Sequence, residues 1–385
     1  MQDSASEHTF LTDSLELPPQ QTRLQEFWAQ LRKNRLALVG LVIFVLFFFV
    51  AVVGMLLTTG ASPILDPSLV RLQEKFLAPL SIPNLESLLP QEVPPLRVYL
   101  LGTDELGRDV FARMLQGAWV SLTVGFVAVG IAVFIGILLG GLAGYYGQNP
   151  IRVGEVLIAV LVVWMALGWG KLSTSILVGL AVAAMAIAAV LVVQRHSDSR
   201  GLLHVFSAQF LSVDVVITGL IDIMLCFPSF FLILTVVALL PASIYNIMII
   251  IGLTSWMGAA RFVRAEFLSL REQDFVTAAR ALGISDWRII FRHMVPNAIA
   301  PVLVSATIGI AGAILTEAGL SFLGFGVPPP HATWGNILSD GKNYLFDAPW
   351  LTFIPGIAIL VVVLSFNLFG EGLRDILNPK LRERH

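Results

Sequence analysis

The sequence has few charged residues and almost no cysteine. Only 13% of its 385 residues are charged, whereas soluble globular domains have about 25%. This scarcity, together with 56% hydrophobic residues, excludes an ordinary soluble domain and predicts a chain that crosses a membrane several times. The single cysteine, Cys226, lies in an apolar run, which excludes a disulfide framework and a thiolate metal site.

Motifs of the common catalytic sites are also missing. Residues 168–172 read Gly-Trp-Gly-Lys-Leu, which lacks both the loop spacing and the Ser or Thr of a nucleotide-binding P-loop. The sequence contains no H-E-x-x-H, no cysteine pair and no G-x-S-x-G. We therefore predict a non-catalytic chain that does not hydrolyse ATP and binds no metal or cofactor of its own.

Long apolar segments make up most of the chain. Five charge-free stretches reach the roughly 20 residues that a spanning helix needs, namely 36–59, 118–149, 172–193, 294–316 and 348–370. Segment 156–170 is shorter, and segment 223–260 is long enough for two helices with a turn at Pro241. These lengths predict an all-α polytopic membrane protein with about eight transmembrane helices.

Lysine and arginine predict the orientation of these helices. If the N-terminus is cytosolic, 17 of the 24 basic residues lie in cytosolic segments. Because cytosolic loops are enriched in Lys and Arg, we predict that both termini are cytosolic. The predicted order begins with a cytosolic tail (1–35), a first span (36–59) and an extracytoplasmic loop that ends in an interfacial helix (60–117). A transmembrane domain (118–370) and a second cytosolic tail (371–385) follow.

A charged segment, 271–297, lies between two apolar runs. Four of its residues recur at the spacing of one helix face: Phe275, Ala278, Ala279 and Leu282. Gly283 is placed as a helix stop, Ser285 as the cap of a second helix, and Pro296 as an opening residue of the next span. Burial of the apolar face would contribute about 3–5 kcal/mol, either beneath the chain's own spans or against a partner protein.

This segment resembles the EAA signature of bacterial ABC importer permeases. Residues 277–279 (TAA), Gly283 and Pro296 match the spacing of that signature, although threonine stands in place of its glutamate. Residues 101–109 (LGTDELGRD) resemble the GTD-x-x-GRD stretch of the dipeptide/oligopeptide/nickel branch. Residues 317–324 (EAGLSFLG), followed by PP and WG, resemble a third motif of that branch.

Three motifs in the family's order make the chain similar to a C-type permease subunit with a MetI-like transmembrane domain. The resemblance implies an extra N-terminal span, while the hairpin 152–193 is an addition to the usual six spans. It also implies that the cytosolic loop 261–296 docks on a separate ATP-hydrolysing subunit. The residues expected to make this contact are Phe275, Thr277, Ala278, Ala279, Leu282, Gly283 and Pro296.

The resemblance further implies the partners and the location. We expect a second, usually different permease subunit, two ATP-binding subunits that carry ATP and Mg, an extracytoplasmic substrate-binding protein, and surrounding lipid. The expected location is the bacterial cytoplasmic (inner) membrane. Dipeptides or oligopeptides are the expected cargo, with nickel chelates or another small solute as the alternative.

Other polar residues each have a functional and a structural interpretation. Glu317, with Ser321 and Phe322, is a candidate for the transport path or its gate, but it can instead hold the following loop. Asp104, Arg108 and Asp109 are candidate contacts for the binding protein, or members of an internal ion-pair lattice. Asp222 is expected to pair with a neighbouring arginine.

Three glycines recur at four-residue intervals in the second predicted span. Gly136, Gly140 and Gly144 have a spacing that lets helix backbones approach closely, within the chain or at a subunit interface.

Two other classes of membrane protein are the alternatives to a permease. A secondary transporter would place ionisable residues in the middle of its spans, and a membrane hydrolase would need a nucleophile and a base there. The predicted spans contain neither arrangement.

Overall fold

The computed structural model describes residues 23–147, 150–152 and 209–377, and most of them are helical. The helices are α1 (Arg23–Lys33), α2 (Arg35–Thr58), α3 (Val110–Tyr146), α4 (Val213–Leu225), α5 (Ser229–Leu239), α6 (Ile244–Arg271), α7 (Asp274–Ala281), α8 (Asp286–Phe322), α9 (Trp334–Gly341) and α10 (Trp350–Leu377). Short 3₁₀ turns occur at Leu72–Glu74 and Lys342–Tyr344.

Membrane-length helices confirm the predicted class. In the described residues, α2, α3, α6, α8 and α10 are long and apolar enough to cross a bilayer, and the bent pair α4 and α5 could form a sixth span. The expected turn near Pro241 separates α5 from α6. The predicted hairpin 152–193 lies outside the described residues except for Arg152, so the count of about eight helices stays a prediction.

A short antiparallel strand pair adds to the predicted all-helical architecture. Strand β1 (Pro150–Arg152) pairs with β2 (Gln209–Ser212), and Arg152 stands opposite Gln209. The pair therefore brings the residues on either side of 153–208 next to each other.

Two predicted boundaries fall inside continuous helices. Helix α3 begins at Val110 and continues without a break to Tyr146, so residues 110–117 form the first turns of a membrane-length helix instead of a separate interfacial helix. Helix α8 likewise begins at Asp286 and passes through Pro296. Neither junction contains a signal strong enough to end the helix.

The chain divides into two compact units. The first comprises residues 1–125 and 307–385. Within it α2 packs along α10, and the ring of Phe44 lies 5.1 Å from that of Phe366 and is stacked on that of Phe369. Helix α9 packs on α10 in the same unit.

The second unit, residues 126–306, is built on close packing of α3 against α6. A Cβ atom added at Gly136 would lie 2.6 Å from the Ala259 Cβ, and one at Gly140 would lie 2.3 Å from the Ala260 carbonyl oxygen. Real Cβ atoms do not approach other atoms so closely, so these glycines permit the contact. This confirms that the glycine series packs within the chain.

Candidate functional site

The loop between α6 and α8 forms a short helical projection, residues 272–285, which we call the hook. It contains α7 and the turn that follows. Helix α7 begins where the Gln273 carbonyl accepts hydrogen bonds from the Val276 and Thr277 N–H groups, at 3.0 and 3.1 Å. The hook follows directly on the long helix α6, and the long helix α8 begins directly after it.

Gly283 ends α7 in the geometry predicted from the sequence. Its φ is +73°, in the left-handed region. The Gly283 N–H donates to the Arg280 carbonyl at 2.9 Å, and the Ile284 N–H donates to the Ala279 carbonyl at 3.1 Å. This pair of bonds is the Schellman motif, which satisfies two carbonyls of the last turn. The predicted helix stop is confirmed.

One face of the hook is anchored to its own unit. Val276 and Ala279 are buried, and Phe275 and Ile284 are partly buried beside them. They pack on side chains of α6 and α8, among them Phe267, Leu270, Ile289, Ile290 and Met294. Val276 was missed in the sequence because it lies outside the predicted stripe, although it precedes Ala279 by one helical turn. The anchor gives the hook a defined orientation.

The predicted apolar face is divided between the buried and the exposed sides of α7. Ala279 is buried, whereas Ala278 is exposed and Leu282 is 80% exposed. The periodic pattern therefore groups residues that the structure places partly against this chain and partly on the exposed side of α7.

Trp287 extends the exposed side of the hook onto the start of α8. Its side chain is 65% exposed, and its ring lies 4.0 Å from that of Phe291. Thr277, in the position of the signature glutamate, is exposed and donates its hydroxyl to the Asp274 carbonyl at 2.9 Å. The threonine is thus satisfied within α7, and the exposed side consists mainly of small and apolar groups.

Two contacts of Tyr145 join the C-terminal part of the hook and the start of α8 to the end of α3. The Tyr145 hydroxyl donates to Asp286 Oδ1 at 2.6 Å, and the Arg280 guanidinium lies 4.9 Å from the centre of the same ring. Arg280 lies near the C-terminus of α7 and Asp286 lies in the first turn of α8. At these positions a positive and a negative charge, respectively, interact favourably with the helix dipole. Ser285 occupies the predicted cap position, but its side chain makes no capping hydrogen bond.

Pro296 lies in the first turn of the α-helical stretch Val295–Phe322, as predicted, but this stretch continues a helix that begins at Asp286. A π-helical turn, Ile289–Met294, comes immediately before this stretch. Proline lacks an N–H group and crowds the preceding turn, and a π turn is one way in which a helix accommodates such a defect. Asn297 Nδ2 donates to the His293 carbonyl at 2.6 Å, which satisfies a carbonyl of that turn.

Glu317 is fully buried in the first unit. Ser321 donates its hydroxyl to Glu317 Oε1 at 2.7 Å, and Ser121 donates to Oε2 at 3.4 Å. The Trp334 N–H donates to the Ser121 hydroxyl at 3.3 Å. The carboxylate thus links α8 to α3 and to the start of α9. Phe322 is exposed at the end of α8, with Lys342 Nζ 5.2 Å from its ring centre.

Two of the three candidate residues for binding-protein contact, Asp104 and Arg108, belong to an ion-pair lattice. Asp104 is fully buried and accepts hydrogen bonds from Arg108 at 2.7 Å and Arg113 at 2.5 Å. Both arginines also contact Asp340, at 3.3 and 2.9 Å. Asp109 is buried as well, and burial raises the pKa of its carboxyl. In this chain the two aspartates are occupied internally, and Arg108 is the more accessible candidate.

Metal chemistry finds no support in the part of the chain that the structure describes. No group of three or more His, Cys, Asp or Glu side chains there could hold a metal ion.

Asp222 forms an ion pair with Arg261, so it has the arginine partner that the sequence predicted for it.

Comparisons with known proteins identify the family. Residues 204–383 match the binding-protein-dependent transport system inner membrane component, and residues 22–73 match the N-terminal TM domain of oligopeptide transport permease C. The dipeptide permease DppC of Alkalihalophilus pseudofirmus is 35% identical over 93% of this chain and 90% of its own length. DppC of Haemophilus influenzae is 32% identical over 94% and 96%, and the oligopeptide permease OppC of Bacillus subtilis is 30% identical over 91% and 88%.

A solved structure of the MetNI methionine ABC transporter in an inward-facing conformation also aligns with the chain. The alignment covers 69% of this chain and 96% of that one, with 14% identity and a TM-score of 0.41. The membrane-length helices and the relatives that are similar over nearly the whole chain both indicate a membrane permease. The chain therefore belongs to the family of peptide ABC transporter permease subunits, non-catalytic multi-pass proteins of the inner membrane.

Proposed function

We propose that this chain forms half of the translocation path of an ATP-driven importer for peptides, and that the hook couples this path to separate ATP-hydrolysing subunits. The other half of the path belongs to a second permease subunit. Two ATP-binding subunits supply ATP and Mg, and an extracytoplasmic binding protein delivers the peptide. The names of the relatives, dipeptide and oligopeptide permeases, favour a peptide over a nickel chelate.

The exposed side of the hook is the observation that carries this proposal. Leu282 and Trp287 are exposed on a short helix whose opposite side is anchored by Val276 and Ala279. Burial of the two exposed side chains against a partner would contribute on the order of 3–5 kcal/mol. An anchored hook that also offers apolar surface suits a protein contact that must transmit force.

The transmission follows from chain connectivity. Helix α6 leads into the hook, and α8 leaves it after Gly283 and a turn of two residues. When the ATP-hydrolysing subunits move together, a hook seated on them moves as a rigid body and tilts both helices. The path thereby switches between outward and inward access. Both termini and the hook are cytosolic in this proposal, in agreement with the distribution of Lys and Arg.

Recovery of the ATP-hydrolysing subunits with the purified chain tests the proposal. Leu282→Asp places a charge in the proposed contact, so we expect at least about a tenfold loss of the co-purified subunits, equivalent to 1.4 kcal/mol or more. Ile82→Asp is the matched control, because Ile82 is 78% exposed in the loop predicted to be external. Equal recovery for the two variants would contradict coupling through the hook.

Crosslinking provides an independent measurement. We expect a cysteine introduced by Ala278→Cys, in a Cys226→Ser background, to crosslink to an ATP-hydrolysing subunit in intact membranes. Ala278 is exposed, so the new thiol remains accessible for this reaction. Failure to capture such a subunit in an assembly that is active in uptake would refute the proposed contact.

A further inference from the structure

An ion pair between α4 and α6 is exposed on helices that are apolar enough to lie in a membrane. Arg261 Nη2 lies 2.7 Å from Asp222 Oδ1, and the two side chains are 55% and 67% exposed. Arg261 is ten residues, or about 15 Å, before the end of α6. Asp222 is four residues before the break that ends α4. Arg261 therefore lies inside α6, immediately after its uncharged part, and Asp222 lies in the last turn of α4.

Lipid is an unsuitable neighbour for this pair. A charged side chain facing hydrocarbon costs about 2.5–3.5 kcal/mol even on insertion scales. The contacts described account for one of the five N–H donors of Arg261. The remaining donors, and the free lone pairs of Asp222, need water or another polar group. The second pair joining these helices, Arg264 with Asp214, is less exposed.

The break between α4 and α5 independently indicates water on the same side. The two helices are bent by 80° at this break, and residues 225–229 are all exposed. Pro228, at the cap position of α5, provides no side-chain hydrogen bond to the first turn. Irregular backbone at membrane depth is tolerated where it is buried in protein or lines a water-filled cavity. This segment is not buried in the described part of the chain.

Small residues lie on the same side of α6 as Arg261. Gly258 and Ala265 are exposed, and at about 100° per residue both lie within about 60° of Arg261 around α6. Among the described residues, no atom lies within 4 Å of a Cβ atom added at Gly258, and the same holds at Gly219 on α4. Leu220, by contrast, is exposed about 160° away from Asp222 on α4, where an apolar side chain suits lipid.

We infer that the face formed by the Asp222–Arg261 pair, Gly258 and the break at 226–228 lines the water-filled part of the translocation path. The inference rests on the proposed function and adds the residues that form this half of the path. The pair presents both charge signs without a net charge. A zwitterionic peptide can therefore pass it without being held strongly at either end.

Thiol reactivity in the intact assembly, in native membranes, tests this inference. Cys226 is the only cysteine of the chain, so the unmodified protein reports directly on the break. Gly258→Cys reports on α6, and Leu220→Cys is the matched control, both in a Cys226→Ser background. The probe is a membrane-impermeant maleimide applied to inside-out vesicles. We expect Cys226 and Gly258→Cys to react at least about tenfold faster than Leu220→Cys, because the reactive thiolate forms in water.

The outcomes separate this inference from the proposed function. Equally slow labelling of all three positions, in an assembly that retains its ATP-hydrolysing subunits and imports peptide, would overturn the inference alone. Crosslinking of Gly258→Cys to the second permease without maleimide labelling would place this face in a subunit interface and would also overturn it. An unmodified assembly that never contains ATP-hydrolysing subunits would overturn the proposed function, and the inference with it.

Discussion

Gly283 sets the direction in which the chain leaves α7. Its φ of +73° is unfavourable for a residue with a Cβ atom, by roughly 1–2 kcal/mol. No atom of the described residues lies within 4 Å of a Cβ atom added at Gly283, so the cost of a substitution comes from the backbone conformation and not from a clash with them. The residue therefore controls the geometry of the hook independently of its packing.

Replacement of Gly283 should uncouple ATP hydrolysis from uptake. We expect Gly283→Val to lower the amount of peptide imported per ATP hydrolysed, because a β-branched residue disfavours the left-handed conformation that orients the hook. Gly283→Asn is the control, since asparagine tolerates this conformation. The measurement is the ratio of uptake to ATP hydrolysis by the whole assembly in proteoliposomes. An unchanged ratio for Gly283→Val would contradict the coupling function of the hook.

Glu317 allows its two interpretations to be separated by experiment. If it holds the loop in place, Glu317→Leu leaves the Ser121 and Ser321 hydroxyls without their acceptor, at a cost of about 1–3 kcal/mol each. Glu317→Gln retains the shape and an acceptor, so we expect a smaller loss of thermal stability than for leucine. If both variants keep full stability and both lose uptake, Glu317 acts in the path or its gate.

In the second unit, α3 and α6 are in close contact. Gly140 lies against the Ala260 backbone, whereas at Gly130 on the same helix no atom of the described residues lies within 4 Å of an added Cβ. The two glycines share one helix and differ in what faces them. Alanine substitution at these two positions therefore distinguishes the effect of helix packing from the effect of helix propensity.

Alanine at these two positions should have opposite effects. Gly140→Ala forces α3 away from α6, and overpacking of this kind typically costs about 1–3 kcal/mol. Gly130→Ala should be neutral or stabilising by about 0.5–1 kcal/mol, because alanine favours a helix. Thermal unfolding of the purified assembly measures both effects. Equal stability of the two variants would contradict the close packing of α3 on α6.

At the scale of the whole molecule, residues 153–208 are predicted to be an insertion that does not change the side of the membrane on which the hook lies. Strands β1 and β2 place Arg152 opposite Gln209, so a short turn can connect them. The segment is predicted to contain two spans, and removal of an even number of spans preserves the side of the membrane on which later segments lie.

Replacing 153–208 by a short glycine-containing turn should therefore leave the hook in the cytosol. Ala281→Cys in a Cys226→Ser background reports the side of the membrane, with the full-length chain carrying the same changes as control. We expect the impermeant maleimide to label both proteins in inside-out vesicles. Labelling of the shortened chain from the external side would show that the segment is not a simple insertion.

Local spacing was sufficient to predict the long apolar helices of the described residues, the stop at Gly283 and the face of α3 on which the glycines recur. Each depends on residues adjacent along the chain or on one helix face, where geometry repeats regularly. Spacing did not predict the continuity of α8 through Pro296, because a π turn is an alternative to a helix break. It also placed the start of α3 too late, since no residue between 110 and 118 distinguishes a span from an interfacial helix.

Exposure in the hook depended on the assembled fold. Helix periodicity grouped Ala278, Ala279 and Leu282 on one face, but whether a side chain is covered depends on distant segments, here α6 and the start of α8. Their packing buries Ala279 and leaves Leu282 exposed. In the same way, apolar composition identified a membrane protein, while the pairing of Asp222 with Arg261 on an open face became visible only when α4 and α6 were brought together.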